Sequence, residues 1–256
     1  MRNILFAIML LLFLPSPGSA QLWKMRRYEV SAGIGTTQFF GDIGGYSKGD
    51  NILGLKDISF TNTRININTA FKYRILDNVS ARLSLSFGSF HATDEKGSNE
   101  GRGFESSTQF IEPLIIGEYY IIKNKGENSY QRMKGSSNSS LLGFFQMLDF
   151  YIYSGFGGLV YNVKPNEKLE PYLKESGGFT GVIPLGIGAN FNYTGAYNFG
   201  VELGGRYTFS DNIDGYTSDF SKSNDMYYLL NFTFTYKIRT GENGLPLFMS
   251  SKRRRR

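Results

Sequence analysis

Three groups of residues in this chain have side chains able to do chemistry. His91 is the only histidine of the 256 residues, and Ser89 and Asp94 stand beside it. Those are the residue types of a nucleophile, a base and an orienting acid, which act only when all three meet within hydrogen-bond reach. Nothing in the spacing brings them together, so His91 is expected to be a solvated residue near a strand end. The second group is Asp211, Asp214, Asp219 and Asp225, oxygen donors of the kind calcium accepts. Their spacing lacks the glycine and terminal glutamate of a calcium hand, so the segment reads as a solvated acidic loop. With no cysteine and one histidine, thiolate and histidine metal centres are excluded, and no catalytic residue, metal or cofactor is expected. The third group is Arg64, Lys72, Arg74, Arg82 and Arg206 with Glu29, Glu112, Glu118 and Glu202. Each stands at an alternate position of a segment whose other positions are apolar. Their chemistry is charge pairing, and it depends on the elements that carry them.

Residues 64–75 show what those elements are. Ile65, Ile67, Thr69, Phe71, Tyr73 and Ile75 fall on one parity, and Arg64, Asn66, Asn68, Ala70, Lys72 and Arg74 on the other. A strand points successive side chains to opposite faces, so this period of two predicts a strand with one greasy face and one cationic face. About 12 residues of alternation exceeds the usual soluble strand of about 5–6 and slightly exceeds the roughly 9–11 that cross a bilayer. Similar segments recur at 28–35, 79–93, 108–122, 148–162, 180–193, 198–209 and 226–238. In the segment 108–122, Leu114 and Ile116 blur the pattern and Pro113 is awkward in a ladder. The glycine pairs Gly157-Gly158 and Gly204-Gly205 lie inside strands, where they are expected to allow close backbone approach.

Tight turns join the second segment to the third and the sixth to the seventh, while long polar loops follow the first, third, fifth and seventh. That rhythm predicts an all-β fold: an eight-stranded antiparallel transmembrane β-barrel spanning residues 21–240, with both chain ends and the tight turns in the periplasm. The exception is 123–147, a long connection on the periplasmic side. With the apolar parity facing lipid, the lumen receives Arg64, Lys72, Arg74, Arg82, Glu112, Glu118, Glu202 and Arg206, together with Glu29. Eight strands leave an interior that side chains can fill, so these groups are expected to form an ion-pair network that plugs it.

Composition agrees with export to a membrane. Residues 1–20 combine a basic start, an apolar run over 4–14 and small residues before Gln21, the form of a signal peptide. The net charge of +6 invites a nucleic-acid partner, yet without Arg2 and the run Lys252, Arg253, Arg254, Arg255 and Arg256 the chain holds 22 basic and 22 acidic residues. The excess lies in the tail 241–256, and an even body does not present the basic face that nucleic acid needs. The five tail cations are candidates for contact with an acidic partner or anionic lipid.

Five blocks, RYEVSAGIGTTQFFGDIG, IEPLIIGEYY, YIYSGFGGLVYNVKP, VIPLGIGANFNY and FGVELGGRYTFSDNIDGYTSDF, occur in an order and spacing that resemble the PorG-type outer-membrane barrels of the type IX secretion system. The resemblance implies a non-enzymatic barrel of the cell outer membrane that is associated with the periplasmic ring of the PorK lipoprotein and PorN, and is needed for export of cargo proteins bearing a C-terminal sorting domain. Its partners would be those ring proteins and outer-membrane lipid, with no nucleic acid and no small-molecule substrate. The chain departs from the family in the length of 123–147 and in the tail beyond the last strand, both placed in the periplasm. Two other classes are compatible with eight strands. One is a lipid-modifying outer-membrane enzyme using His91, and the other is a small passive pore.

Overall fold

The computed structural model describes residues 22–44, 60–95, 99, 101–124, 148–217, 224–241 and 243–249. The proposed signal peptide, most of the 123–147 connection, Asp219 and the cations 252–256 lie outside the described residues.

Eight strands follow one another in chain order: β1 (Tyr28–Phe40), β2 (Arg64–Arg74), β3 (Val79–Thr93), β4 (Glu105–Ile122), β5 (Leu148–Pro165), β6 (Gly177–Asn192), β7 (Tyr197–Thr208) and β8 (Met226–Ile238). Each pairs antiparallel with its neighbours, and β8 returns to β1 from Tyr28↔Ile238 to Phe40↔Met226, which closes the barrel. The tight turns predicted at 76–78 and 194–196 are closed by hydrogen bonds from Val79 N to Leu76 O and from Tyr197 N to Thr194 O. Short 3-10 turns lie before β1, at Leu22–Met25, and after β5, at Glu170–Tyr172.

The two parities of every strand meet different surroundings. On β2, Ile67 is 62% exposed while Lys72 on the other face is 5% exposed; on β4, Ile115 is 49% exposed and Glu112 is fully buried. Apolar side chains outside and charged ones inside invert the arrangement of a soluble protein, and only a lipid solvent accommodates it. The chain is therefore a barrel of the outer-membrane type. Along β7, Phe199, Val201 and Leu203 face outward between Tyr197 and Tyr207. A tilted run of that kind crosses an apolar band roughly 25 Å tall with an aromatic residue at each rim. The rim beside the tight turns carries Tyr28, Tyr73, Tyr119, Tyr193, Tyr197 and Tyr236, with Tyr28 and Tyr73 5.1 Å apart and Tyr197 and Tyr236 5.3 Å apart.

Strands β4 and β5 run for 18 residues each and β6 for 16, longer at the loop end than the sequence pattern predicts. Their additional residues extend one side of the wall past the apolar band, and there they carry the loops. The two strand prolines stand at gaps in the ladder. Pro113 pairs with Leu85 on β3, but toward β5 the register passes from Ile111↔Val160 to Leu114↔Gly157. Pro184 pairs with Arg206 on β7, and toward β5 the register skips it between Leu185 and Val182. A proline has no N–H to give, so each is accommodated where one side of its strand makes no ladder bond.

Candidate functional site: the charged lumen and its roof

Eight inward parities bring the charges of different strands together, most of them near the tight-turn end and the Arg206–Glu112 pair farther toward the loops. Lys72 on β2 meets Glu118 on β4 at 2.8 Å, and Arg82 on β3 reaches Glu118 at 3.2 Å and also pairs with Glu202 on β7 across the barrel. Arg74 holds Glu29 at 2.8 Å, and Arg206 stands 3.6 Å from Glu112. Isolated ions at these depths would carry a large desolvation cost, and mutual pairing with added hydrogen bonds offsets it. Tyrosines supply those bonds. Tyr151 donates to Glu202 at 2.6 Å, Tyr227 donates to Glu112, and Lys72 donates to the Tyr120 hydroxyl at 3.3 Å. The Tyr153 ring lies 5.2 Å from the Arg82 guanidinium and 5.8 Å from that of Arg206, within cation–π range of both. Nearer the rim, Lys237 donates to Asn192, and Asn192 donates to Asp149, each at 2.7 Å.

Of the eight lumen residues expected from sequence, the structure brings seven into ion pairs. Arg64 is the exception. It begins β2 at the loop end, and its guanidinium donates to the carbonyls of Thr61 at 2.8 Å and Thr63 at 3.0 Å, away from the charged cluster. The expectation of a lumen filled by ion pairs also needs correction. Toward the loop end the interior is a mainly apolar layer, in which the Arg206–Glu112 pair and Tyr227 sit among buried Phe39, Phe90, Phe110, Leu114, Ile116, Leu159, Tyr161, Val182 and Leu229. Leu114 and Ile116, which seemed to break the alternation of β4, keep the inward parity and belong to this layer. The amides of Asn66 and Asn68 also point inward, and both polar atoms of the Asn66 amide lack a hydrogen-bond partner among the described residues. The tyrosines and Lys237 escaped the sequence reading, because an inward tyrosine is indistinguishable by type from one at the lipid rim.

A roof of loops covers the apolar layer. Among the described residues each long loop sends a buried apolar side chain into it, Ile43 after β1, Phe104 before β4, Leu169 after β5 and Ile213 after β7, with Leu173 and Tyr216 packed against them. Carboxylates tie these loops together. Asp94 receives Arg102 at 2.7 and 3.0 Å, the Gly44 N–H at 2.9 Å and the Phe104 N–H at 3.1 Å. Asp214 accepts the N–H groups of Asp42, Ile43 and Tyr216 at 3.0–3.1 Å, and Asp225 accepts that of Ile213 at 2.8 Å. Asp214 and Asp225 are therefore buried fasteners, contrary to the solvated loop expected. Burial pushes the Asp214 carboxyl up to about 7, with the negative Asp42 beside it. Burial also pushes Asp225 well above the ordinary range, and the Asp214 charge adds to the shift. Among the described residues no three histidine, aspartate or glutamate side chains are grouped to hold a metal ion.

The His91 constellation does not assemble. His91 faces outward on β3, with its Nε2 3.6 Å from Glu105 on β4, while the Asp94 carboxylate is occupied in the roof. Of the two glycine pairs, Gly157 lies so close to β4 that a Cβ there would stand 2.1 Å from the Pro113 carbonyl oxygen. At Gly204 the close neighbour is a side chain: a Cβ would lie 2.0 Å from the Tyr153 hydroxyl.

Residues 139–243 match a family described as a domain of unknown function, DUF6089. No curated protein matches the chain. Among solved structures, Neisserial surface protein A is similar at 11% identity with a TM-score of 0.43, over 82% of this chain and 96% of that one. Ail, the attachment invasion locus protein of Yersinia pestis, is similar at 11% identity with a TM-score of 0.40, over 82% and 97%. The outer membrane enzyme PagL is similar at 11% identity with a TM-score of 0.32, over 82% and 99%.

Proposed function

We propose that this barrel is a non-conducting, non-catalytic anchor of the outer membrane, a component of the type IX secretion machinery that holds the periplasmic PorK/PorN ring beneath the membrane. The observation that carries the anchor is the lumen. Arg82 crosses it to Glu202, and an apolar layer and a roof of four loops lie above. An interior occupied in this way favours work done at the surfaces and ends over transport through the middle. The secretion role rests on the five sequence blocks and their order. In this reading residues 1–20 direct export, and the tight turns, the 123–147 connection and the chain ends face the periplasm. The His91 environment, paired with Glu105 and turned from the lumen, gives the lipid-modifying alternative no assembled acid and nucleophile.

The chain has no cysteine, so single cysteines at Asp77, Thr194 and within 123–147 give unique cross-linking probes in intact cells. Capture of PorK or PorN from these positions, with loss of sorting-domain cargo export when the gene is deleted, is the expected result. Normal export in the deletion strain, or capture of outer-surface partners alone from these positions, would overturn the reading. Steady conductance of the purified barrel in planar bilayers would overturn the closed lumen.

A further inference from the structure

The chain does not leave the barrel at the end of β8. Thr240 donates its N–H to Met25 O at 2.7 Å and accepts the Arg27 N–H at 3.0 Å. The chain then turns back, with Gly241 N bonded to Leu245 O at 2.8 Å, an antiparallel bridge between Thr240 and Pro246, and Leu247 N bonded to Arg239 O at 2.8 Å. Tyr28 fixes where this small hook lies. Its ring is on the outer wall beside Phe71 and Tyr73, and its hydroxyl donates to Gly244 O at 3.2 Å. The hook thus sits at the aromatic rim, continuous with the lipid-facing wall.

Its side chains are of the wrong kind for water. Leu245, Leu247, Phe248 and Met249 are 46%, 54%, 71% and 62% exposed, and Met25, whose carbonyl receives Thr240, is 62% exposed. The sequence after them runs through Ser250 and Ser251 into five consecutive cations. Apolar residues level with an aromatic rim and followed by cations are the arrangement of a segment seated at the boundary of acyl chains and anionic headgroups. We propose that Thr240, Gly241 and residues 243–249 belong to an interfacial hook, whose Leu245, Leu247, Phe248 and Met249 enter the leaflet beside the tight turns. The occupant is lipid, because the patch continues the lipid-facing wall and its flanking charge complements anionic headgroups. The proposal does not depend on the secretory role.

Phe248→Cys in the full chain, labelled with a nitroxide and reconstituted in vesicles of phosphatidylethanolamine with phosphatidylglycerol, reads the outcome by electron paramagnetic resonance. A label at Asn243→Cys, on the turn, is the reference. The 248 label is expected to lose most of its accessibility to a water-soluble relaxant while staying reachable by oxygen. It should also move outward when the anionic lipid is replaced by phosphatidylcholine. Equal water accessibility at 248 and 243 would overturn the proposal, as would dipolar broadening showing that a second copy covers the patch. Leu247→Cys repeats the measurement should the 248 variant fail to fold.

Discussion

Arg82 links two carboxylates of the lumen, Glu118 on β4 and Glu202 on β7, at once. Replacing it by methionine keeps the bulk, leaves the buried Glu202 carboxylate without its cation and leaves Glu118 with Lys72 alone. Arg82→Met is therefore expected to cost about 3–5 kcal/mol, read as a lowered urea midpoint in lipid vesicles. Arg82→Met with Glu202→Leu should recover part of that loss, since it removes the stranded carboxylate. The roof aspartates respond to pH in the opposite sense to an ordinary paired carboxylate. Asp214 and Asp225 have raised values, so the folded roof binds protons that the loosened loops would release. Their stabilisation is complete below the ordinary carboxylate range and is lost as pH rises above it, through about 7 for Asp214, with Asp42 and Asp211 adding repulsion. A nitroxide at Thr217→Cys should accordingly be more mobile at pH 8 than at pH 5, and Asp225→Asn should flatten that difference.

At the scale of the strand, the wall and the filling of the barrel are made to fit each other. Tyr151 and Tyr153 project from β5 over Gly188, Gly186 and Gly204, which leave β6 and β7 bare beneath the rings. Gly204→Ala should force Tyr153 and Arg206 aside and cost about 1–3 kcal/mol in the same vesicle unfolding measurement. Gly117→Ala, whose nearest neighbour would be the Ser154 carbonyl oxygen at 3.8 Å, should leave stability unchanged. This fit also explains what the sequence made legible. Alternation alone located all eight strands and, apart from Arg64, put the expected charges into ion pairs, because parity is a local property of the chain. It could not separate an inward tyrosine from a rim tyrosine, or foresee that Asp214 would be buried. Those outcomes depend on which strand and which loop stand opposite, and closure settles that only at long range. Leu114 and Ile116 look like noise within β4 and take their meaning from Phe90 and Leu159 on the neighbouring strands.

The whole molecule has a charged cluster near the tight turns and a mainly apolar layer toward the loops, and ion pairs that join strands far apart in the chain. Arg82 and Glu202 are 120 residues apart, and Arg206 and Glu112 likewise link β7 to β4. A fragment ending with β4 would expose Lys72, Arg82 and Glu112 along an open sheet. A fragment beginning with β5 would expose Glu202 and Arg206. Neither should resist protease in lipid vesicles alone, whereas the two added together should yield a protected, heat-modifiable barrel on gels. Independent protection of either fragment would contradict this. The salt bridge across the lumen thus acts on assembly as well as on the finished wall. Until the last strand finds the first, the inner face of the sheet carries charges that lack their partners across the barrel, so curling and insertion must proceed as one event, and a half-made barrel is kept out of the membrane by that face.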